Sequence, residues 1–581
     1  MILFREENPH FWTHGILLSL ILILPLLRAG WDLWSQTAVV AVWTLVVLFE
    51  TYNAFRYRPK DPPRPVIPAK AGIHRFLMVF PASVLIPLGV YVGAALVSAG
   101  VSPFPFSAHA ALLVDAPAVA FFLWGASVVK HKDLYRRALA GAGLLAVGAA
   151  FFQSTGSFSS PLTGPLLNPN VLVSLLLLTG PGAFFLAMEK ERSWFWGVVC
   201  GVSVGSVLLS RSWVGCLVLA FQFFWCVRRW GGNRRWLWFL LGFAVVALGL
   251  FLARADAHKL FHGDPDRWHW WAGALRMIFD RPWLGVGPGA FGEAYPAYRA
   301  GVWGLNTLYA HNFFLELWAE RGVVGVGALL FLAKTAFCGE RSGLWLGLVG
   351  FLLFNLVHIG FSFPALYWLF FLILGLNTTP NDQGEARTAS LEEKKIPWVP
   401  AAVGAFLWVV VCGASFSLFR SSQCLEWAKI AFKNDQSVLA RSWSDQGLRW
   451  NPWNPELYEL RSALKLGQQD WEGATKDLYK AVALAPAAAG FRVDVAELAL
   501  QRGDRVEALK QYDEAVRLMP LKTHAWERRG DILAGDGLTA QAKESYSNAL
   551  RALDDPRVLG GDRVRQSEAV RRVTEKKANL L

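Results

Sequence analysis

Residues 166–188 read LLNPNVLVSLLLLTGPGAFFLAM, an apolar run without a charged residue. A run of about 20 apolar residues is long enough to cross the hydrocarbon core of a bilayer. Similar runs follow one another through the first two-thirds of the chain. The sequence therefore predicts an all-α, polytopic membrane domain of about 12–13 transmembrane helices. The predicted spans lie at 12–28, 34–52, 76–98, 108–129, 138–152, 166–188, 193–210, 212–227, 236–253, 322–338, 342–358, 363–378 and 397–419.

Composition and charge support this class of protein. Of the 581 residues, 54% are hydrophobic and 17% are charged, whereas soluble domains carry roughly 25% charged residues. The net charge of +13 does not indicate nucleic-acid binding, because the basic residues gather in alternate loops. These loops contain Arg56, Arg58, Lys60, Arg64, Lys70, Arg75, Lys130, Lys132, Arg136, Arg137, Arg228, Arg229, Arg234, Arg235, Lys394 and Lys395.

The distribution of basic residues also predicts the orientation. The loops 99–107 and 153–165, on the opposite side from the basic loops, contain no Lys or Arg. By the positive-inside rule the N-terminus is cytoplasmic, and the long loop at about 254–321 lies on the outer face.

The chain after Phe419 is charged, rich in Ala and Leu, and periodic. A spacing of 34 residues separates the equivalent positions Pro452, Pro486 and Pro520, then Ala474, Ala508 and Ala542, and then Ala481, Ala515 and Ala549. This period, with Ala at close-packed positions, is typical of tetratricopeptide repeats, each a pair of helices. We predict three repeats, with a weaker one at about 424–452, a capping helix beyond Pro556, and turns between paired helices at Gly467, Gly503 and Gly535.

The repeats form a separate predicted domain at 420–581. Before it we predict a cytoplasmic linker at 379–396 and an additional transmembrane helix at 397–419, which together place the repeats on the outer face. The concave face of such arrays binds peptides or proteins, so we expect a protein partner there. The alternative is that the array packs against the membrane domain.

The polar residues of the membrane domain gather in the long outer loop. Arg211, at the outer end of a span, and Arg267 could hold a diphosphate, since a guanidinium grips phosphate with a bidentate fork. Snorkelling of Arg211 to lipid headgroups is the alternative. His311 is the natural general base, because a neutral imidazole can accept a proton from a hydroxyl near pH 7. A purely structural histidine is the alternative there.

Two other motifs compete for the site. Gly285-Val-Gly-Pro-Gly resembles a phosphate-binding loop but lacks the strand and helix that such a loop needs. We interpret it as a turn that lets the backbone pack closely. A divalent metal site is the second competing interpretation, disfavoured because Gly263 and Pro265 interrupt the helical spacing. Its candidate ligands are Asp256, His258, His262, Asp264, Asp266 and His269.

Taken together, these motifs resemble the O-antigen ligase/polymerase superfamily. The resemblance rests on Ser210-Arg211, on the run from Arg267 to Phe291, and on Ala310-His311-Asn312 followed by Glu320-Arg-Gly-Val-Val-Gly325. It covers roughly residues 10–378, and we predict 1–378 as the ligase-like membrane domain.

The resemblance implies a metal-independent enzyme without a cofactor, in the bacterial inner membrane among membrane lipids. The enzyme transfers a glycan from an undecaprenyl-diphosphate donor to a periplasmic acceptor. On this basis His311 activates the acceptor hydroxyl, while Arg211 and Arg267 bind the donor diphosphate. Six further residues are secondary candidates, with Tyr309 and Asn312 expected to orient the histidine: Arg276, Arg281, Tyr309, Asn312, Glu320 and His358.

The acceptor and the class of function remain open at this stage. Lipid A–core is the leading acceptor, and polymerisation onto another lipid-linked repeat or transfer to a protein hydroxyl are sister reactions. A lipid-linked glycan transporter would show internal symmetry and charged residues at the membrane midplane, whereas here the spans are mostly uncharged and Asp115 is a rare exception. A scaffold that only anchors the repeats would need a single span.

Overall fold

The computed structural model describes residues 11–26, 33–56, 82–128, 132–153, 168–188, 193–210, 212–230, 265–299, 306–338, 341–378, 398–554 and 563–580. These residues form α-helices joined by turns and short 3-10 segments, and no β-strand occurs among them. The all-α prediction is confirmed.

Among the described residues, eight helices precede the long loop at about 254–321. They are α1 (Phe11–Ile23), α2 (Leu33–Arg56), α3 (Ala82–Gly100), α4 (Pro105–Ser127), α5 (Lys132–Gln153), α6 (Pro169–Met188), α7 (Ser193–Leu209) and α8 (Trp213–Trp230). Six more run from that loop to the start of the repeats: α9 (Pro265–Asp280), α10 (Phe291–Tyr298), α11 (Phe313–Phe337), α12 (Gly343–Phe354), α13 (Pro364–Leu376) and α14 (Trp398–Lys433).

Twelve of the thirteen predicted spans coincide with these helices, and the span predicted at 236–253 lies outside the described residues. By length and apolar composition, four described helical segments could cross a membrane: Ser83–Gly100, Pro105–Ser127, Pro169–Met188 and Ala405–Lys433. Shorter apolar helices accompany them. Helix α11 is broken at Gly322, so its second part begins where the span 322–338 is predicted, and a short helical piece from Phe313 precedes it. The structure corrects the end of the span predicted at 397–419, because α14 continues to Lys433.

The chain forms two compact units. The first, called the membrane unit below, contains the described parts of 1–97, 110–264 and 311–419. The second, called the loop–repeat unit, contains the described parts of 98–109, 265–310 and 420–581.

The core of the membrane unit is built around α6 and α13. Every residue of α13 is buried, which is expected of a helix that is apolar on all sides. Glycines let neighbouring helices approach closely, as is common between membrane helices. A Cβ at Gly347 would meet the backbone carbonyl of Leu178, and one at Gly125 would meet that of Leu372.

The loop–repeat unit contains three regular helix pairs, each repeated after 34 residues. The pairs are α16 (Pro455–Leu466) with α17 (Trp471–Leu484), α18 (Ala489–Gln501) with α19 (Arg505–Leu518), and α20 (Thr523–Gly535) with α21 (Thr539–Asp554). The six periodic alanines are all fully buried. Helix α22 (Arg563–Ala578) packs on α21, with Val573 in a shared apolar cluster. The tetratricopeptide fold is confirmed by this geometry.

The turns reveal the fourth repeat and correct the predicted turn positions. Left-handed backbone occurs at Asp435 (φ 58°), Gln469 (φ 62°), Gly503 (φ 80°) and Gly537 (φ 74°), again at a spacing of 34 residues. Helix α15 (Ser437–Trp450), with the end of α14 before it, therefore completes the weaker first repeat. Gly503 is the left-handed turn residue of its repeat, and Gly467 lies in the turn between α16 and α17, two residues before the left-handed position. The prediction of Gly535 is wrong, because it is the last residue of α20 and the turn follows it.

Candidate functional site

The part of the candidate site that lies in the long loop is built on α9. Arg267 lies in its first turn and is half-buried. The indole Nε1 of Trp271 donates to the carbonyl of Ala310, 3.0 Å away. This bond joins α9 to the end of the loop, directly before His311.

The glycine-rich segment after α9 is a packing turn. Its three glycines have positive φ, at Gly285 (71°), Gly287 (122°) and Gly289 (66°). A Cβ at Gly287 would lie 2.6 Å from that of Ser102. The Ser102 hydroxyl donates to the Val286 carbonyl at 2.8 Å. The close-packing interpretation is therefore confirmed.

Arg276 and Arg281 both lie at the C-terminal end of α9. Arg276 Nη1 donates to the Arg299 carbonyl at 2.7 Å, and Arg281 Nε lies 4.0 Å from the Asp280 carboxylate. Tyr298 donates its hydroxyl to that carboxylate. Burial, and then this bond, raise the pKa of Tyr298 to about 12, so the phenol remains a donor.

In the membrane unit, His311 has a strained backbone. Its φ of 52° lies in the left-handed region, which non-glycine residues adopt rarely and mostly where the surroundings enforce it. Asn312 is the N-cap of α11, and its Oδ1 accepts from the amides of Phe314 (3.1 Å) and Leu315 (3.2 Å). The half-buried histidine therefore sits immediately before a capped helix start. The predicted role of Asn312 in orienting His311 stays a prediction.

A second segment of the membrane unit, residues 355–363, holds this helix start in place. The Phe313 amide donates to the Asn355 carbonyl at 2.9 Å, and the Phe313 and Phe361 rings stack with centroids 3.6 Å apart. Ser362 donates to the Glu316 carboxylate at 2.8 Å. His358 belongs to the same segment, so the structure brings it into the neighbourhood of the α11 start.

His358 itself is almost fully buried. Its ring stacks on Phe354, with centroids 4.2 Å apart, and only 7% of the residue is exposed. The structure therefore gives His358 a packing contact within the segment that supports His311.

A buried ion pair was not predicted from the sequence. Arg321 donates through Nη1 and Nη2 to the two carboxylate oxygens of Asp115, at 2.7 and 2.9 Å. The Tyr367 hydroxyl donates to the same carboxylate at 2.8 Å, and the Tyr91 and Tyr367 hydroxyls are 2.6 Å apart. Gly322 follows directly with a φ of 64° and breaks the helix. The only sign of this ion pair in the sequence was Asp115, a rare charged residue within an apolar span.

The remaining candidates are placed as follows. Arg211 lies outside the described residues. Glu320 is half-buried on α11, and the backbone of Tyr309 is held by Thr307, whose hydroxyl donates to the Tyr309 carbonyl at 2.7 Å. Of the rival metal ligands, only Asp266 and His269 are described, both on α9. No group of three or more His, Cys, Asp or Glu residues that could hold a metal occurs in the described part of the chain.

Comparison with known proteins agrees with the sequence motifs. Residues 196–332 match the family model for O-antigen ligase. The matched region contains Arg211, Arg267, His311 and Glu320, so the predicted resemblance is confirmed. The match supports a glycosyl-transfer function in a membrane protein. No curated protein matches the chain.

Solved structures that resemble part of the chain include three with low overall similarity. The crystal structure of MamA protein is 16% identical over 28% of this chain and 94% of its own, with a TM-score of 0.22. YrrB, a TPR protein with an unusual peptide-binding site, is 14% identical over 27% of this chain and 84% of its own, with a TM-score of 0.21. A chain of the APC/C hetero-tetramer Cut9-Hcn1 is 11% identical over 79% of this chain and 84% of its own, with a TM-score of 0.23. The repeat assignment rests on the helix pairs of this chain.

Proposed function

We propose that this protein transfers a glycan from an undecaprenyl-diphosphate-linked donor to an acceptor hydroxyl at the periplasmic face of the bacterial inner membrane. Lipid A–core is the leading acceptor. The observation that carries the proposal is His311, which lies within the matched ligase region and has left-handed backbone directly before a capped helix start. Strain of this kind is frequent at functional sites.

His311 is the general base in this proposal. The imidazole accepts the proton of the acceptor hydroxyl as its oxygen attacks the anomeric carbon of the donor sugar. The bond between that carbon and the diphosphate oxygen breaks, and the lipid diphosphate leaves with the bonding electron pair. Attack from the side opposite the leaving group inverts the anomeric configuration.

Arg211 and Arg267 stabilise the leaving group. The diphosphate gains negative charge as the glycosidic bond breaks, and fixed guanidinium groups stabilise that charge best where water is partly excluded. The half-burial of Arg267 on α9 is consistent with this role. Arg276 and Arg281 are secondary candidates for the same diphosphate.

The contacts around the α11 start support a fixed position for the base. Asn312 caps the helix, and the Phe313 amide and the Glu316 carboxylate are both held by the segment that contains His358. Tyr309 and Glu320 lie on either side of the histidine in the sequence and remain secondary candidates. Chemistry that depends on attack geometry benefits from such positioning.

The test is replacement of His311 by alanine at normal expression. Lipid-linked glycans, lipopolysaccharide and glycoproteins are then compared with the parent strain. We expect long glycans to accumulate on the polyprenyl carrier while lipid A–core stays unmodified. Single repeats on lipid A–core would instead indicate a polymerase, and loss confined to glycoproteins would indicate protein transfer. Unchanged pools in all three classes would refute His311 as the base.

His269→Ala is the matched control. This histidine is exposed on α9 and is a ligand only in the rival metal interpretation. We expect normal glycan transfer in this variant. A loss equal to that of His311→Ala would favour the metal interpretation over the proposed base.

A further inference from the structure

Within the loop–repeat unit, Arg299 connects the outer loop to the repeats. This residue follows α10 and is 9% exposed. Its Nη1 donates to the Leu518 carbonyl and its Nη2 to the Arg517 carbonyl, both at 2.8 Å. These carbonyls belong to the last turn of α19, where backbone acceptors have no partner within the helix and the dipole favours a cation. A planar guanidinium satisfies two such acceptors at once.

The same residue is tied to the helix that carries Arg267. The Arg299 carbonyl accepts from Arg276 Nη1 at 2.7 Å, and Arg299 Nη1 also donates to Asn306 Oδ1 at 2.9 Å. A Cβ at Gly273 would meet the Tyr295 ring, so α9 and α10 are in close contact. A continuous set of contacts therefore runs from α19 of the array through Arg299 to α9.

A second connection uses residues 98–109. The His109 ring stacks on Trp453, with centroids 4.5 Å apart and planes 2° from parallel. Trp453 lies in the turn before α16 of the array. Ser107 donates to the Glu293 carboxylate on α10 at 2.5 Å. Burial raises the pKa of Glu293, and this hydrogen bond opposes the rise. The array, the loop helix and this turn thus contact one another at three places.

We propose that the repeat array binds the outer loop of its own chain, and that Arg299 is a positioning residue that holds α9, and with it Arg267, for the donor diphosphate. The second clause rests on the proposed function. In this arrangement the array takes part in the transfer reaction, and the C-terminal end of α19 and the turn before α16 are already occupied by the loop and by residues 98–109. A protein partner would have to use other parts of the array.

The contact is tested by hydrogen–deuterium exchange on the full chain in lipid nanodiscs. Arg299→Ala removes the charge-assisted bonds to both carbonyls. We expect amide exchange in 291–299 and 306–310 to accelerate at least about tenfold. One charge-assisted hydrogen bond stabilises the closed, exchange-protected state by about that factor in the opening equilibrium. Arg299→Lys, which cannot satisfy both acceptors with a planar fork, is expected to be intermediate. Exchange unchanged from the parent in Arg299→Ala would overturn the proposed contact.

The positioning role needs a second readout, which is the affinity of the same samples for undecaprenyl diphosphate. We expect an about tenfold weaker affinity in Arg299→Ala, partly restored in Arg299→Lys. Faster exchange with unchanged affinity would overturn the positioning role and leave only the contact. A parent protein that does not bind undecaprenyl diphosphate would refute the donor assignment and the positioning role with it, while the exchange experiment would still decide the contact.

Two further variants guard against a folding artefact. Arg502→Ala is the matched control, because Arg502 is an exposed array arginine whose side chain donates one described hydrogen bond, to the Thr475 hydroxyl at 3.2 Å. We expect parental exchange and affinity in it. Trp453→Ala removes the His109 stack from a half-exposed position and should accelerate exchange of 98–109. If Arg299→Ala does not fold, the test rests on Trp453→Ala. Amide exchange in 98–109 that stays as slow as in the parent protein would then overturn the proposal.

Discussion

Replacing Asp115 with asparagine removes the charge that balances the Arg321 guanidinium. The two side chains are 9% and 7% exposed and share two hydrogen bonds of 2.7 and 2.9 Å. Loss of one partner of a buried pair leaves an uncompensated buried charge, which costs about 3–5 kcal/mol. We therefore expect Asp115→Asn, and equally Arg321→Met, to lower the free energy of unfolding by this amount.

The double variant separates the ion pair from its surroundings. With both charges removed, the free energy of unfolding of the double variant is lowered only by the lost hydrogen bonds, about 1–2 kcal/mol. The Tyr367 hydroxyl keeps an acceptor in the asparagine side chain. The coupling energy between the two positions should therefore be at least about 3 kcal/mol.

The assay is a double-mutant cycle on reversible unfolding of the full chain in mixed micelles. Asp133→Asn is the control, because the Asp133 side chain is 60% exposed although it lies 3.0 Å from Arg136. Water screens such a pair, so we expect a loss below about 1 kcal/mol. Additive single effects, to within about 0.5 kcal/mol, would refute the assignment of Asp115 and Arg321 as a coupled buried pair.

Three further predictions concern other parts of the chain. Glu459 shares a hydrogen bond with Asp494, and burial together with that carboxyl raises the pKa of Glu459 to about 7. The folded state therefore holds a proton that the unfolded chain releases near pH 4.5. The free energy of unfolding consequently falls as the pH rises from about 4.5 to about 7. Glu459→Gln should remove this decline and raise the melting temperature at pH 8 by about 3 °C, and an unchanged pH profile would contradict the shared proton. Asn312→Ala should lower the free energy of unfolding by about 1 kcal/mol through loss of the cap, with Asn312→Ser as the variant that keeps it, and equal stability of the two would argue against capping. Gly287→Ala should cost about 1–3 kcal/mol because of its positive φ and its contact with Ser102. Ser102→Gly in the same chain should recover little of this, since it relieves the contact but also removes the hydrogen bond from Ser102 to the Val286 carbonyl; both are measured by thermal unfolding.

The predictable features of this chain are those that repeat or that follow composition. Apolar runs such as 166–188 show membrane helices because the bilayer requires a minimum apolar length. The buried alanines of the array, for example Ala474 and Ala508, recur because each helix pair packs on the next in the same way. The turn residue was harder, since a left-handed position accepts Gln469 in one repeat and Gly537 in another.

The features that were not predicted depend on partners far away in the sequence or on backbone atoms. Asp115 and Arg321 are 206 positions apart, and no local pattern links them. Arg299 binds two main-chain carbonyls, which every residue possesses, so its partners leave no trace in the sequence. The helical piece of α11 before the break at Gly322 was not predicted, because Glu316, Glu320 and Arg321 make it look like part of a polar loop.

This unpredicted piece of helix is informative about the site. The first turns of α11 run from the Asn312 cap to the break at Gly322, and both ends are fixed by contacts within the membrane unit. The Asn355 carbonyl holds the Phe313 amide at the start, and Asp115 holds Arg321 at the break. A backbone hydrogen bond at the start and a side-chain ion pair at the break therefore anchor this piece of helix, and a rigid start is what keeps a strained residue in its left-handed conformation. If Asp115→Asn loosens the break, the strain at His311 loses its support. We therefore expect the glycan-transfer activity of this variant to fall even at temperatures where the chain remains folded.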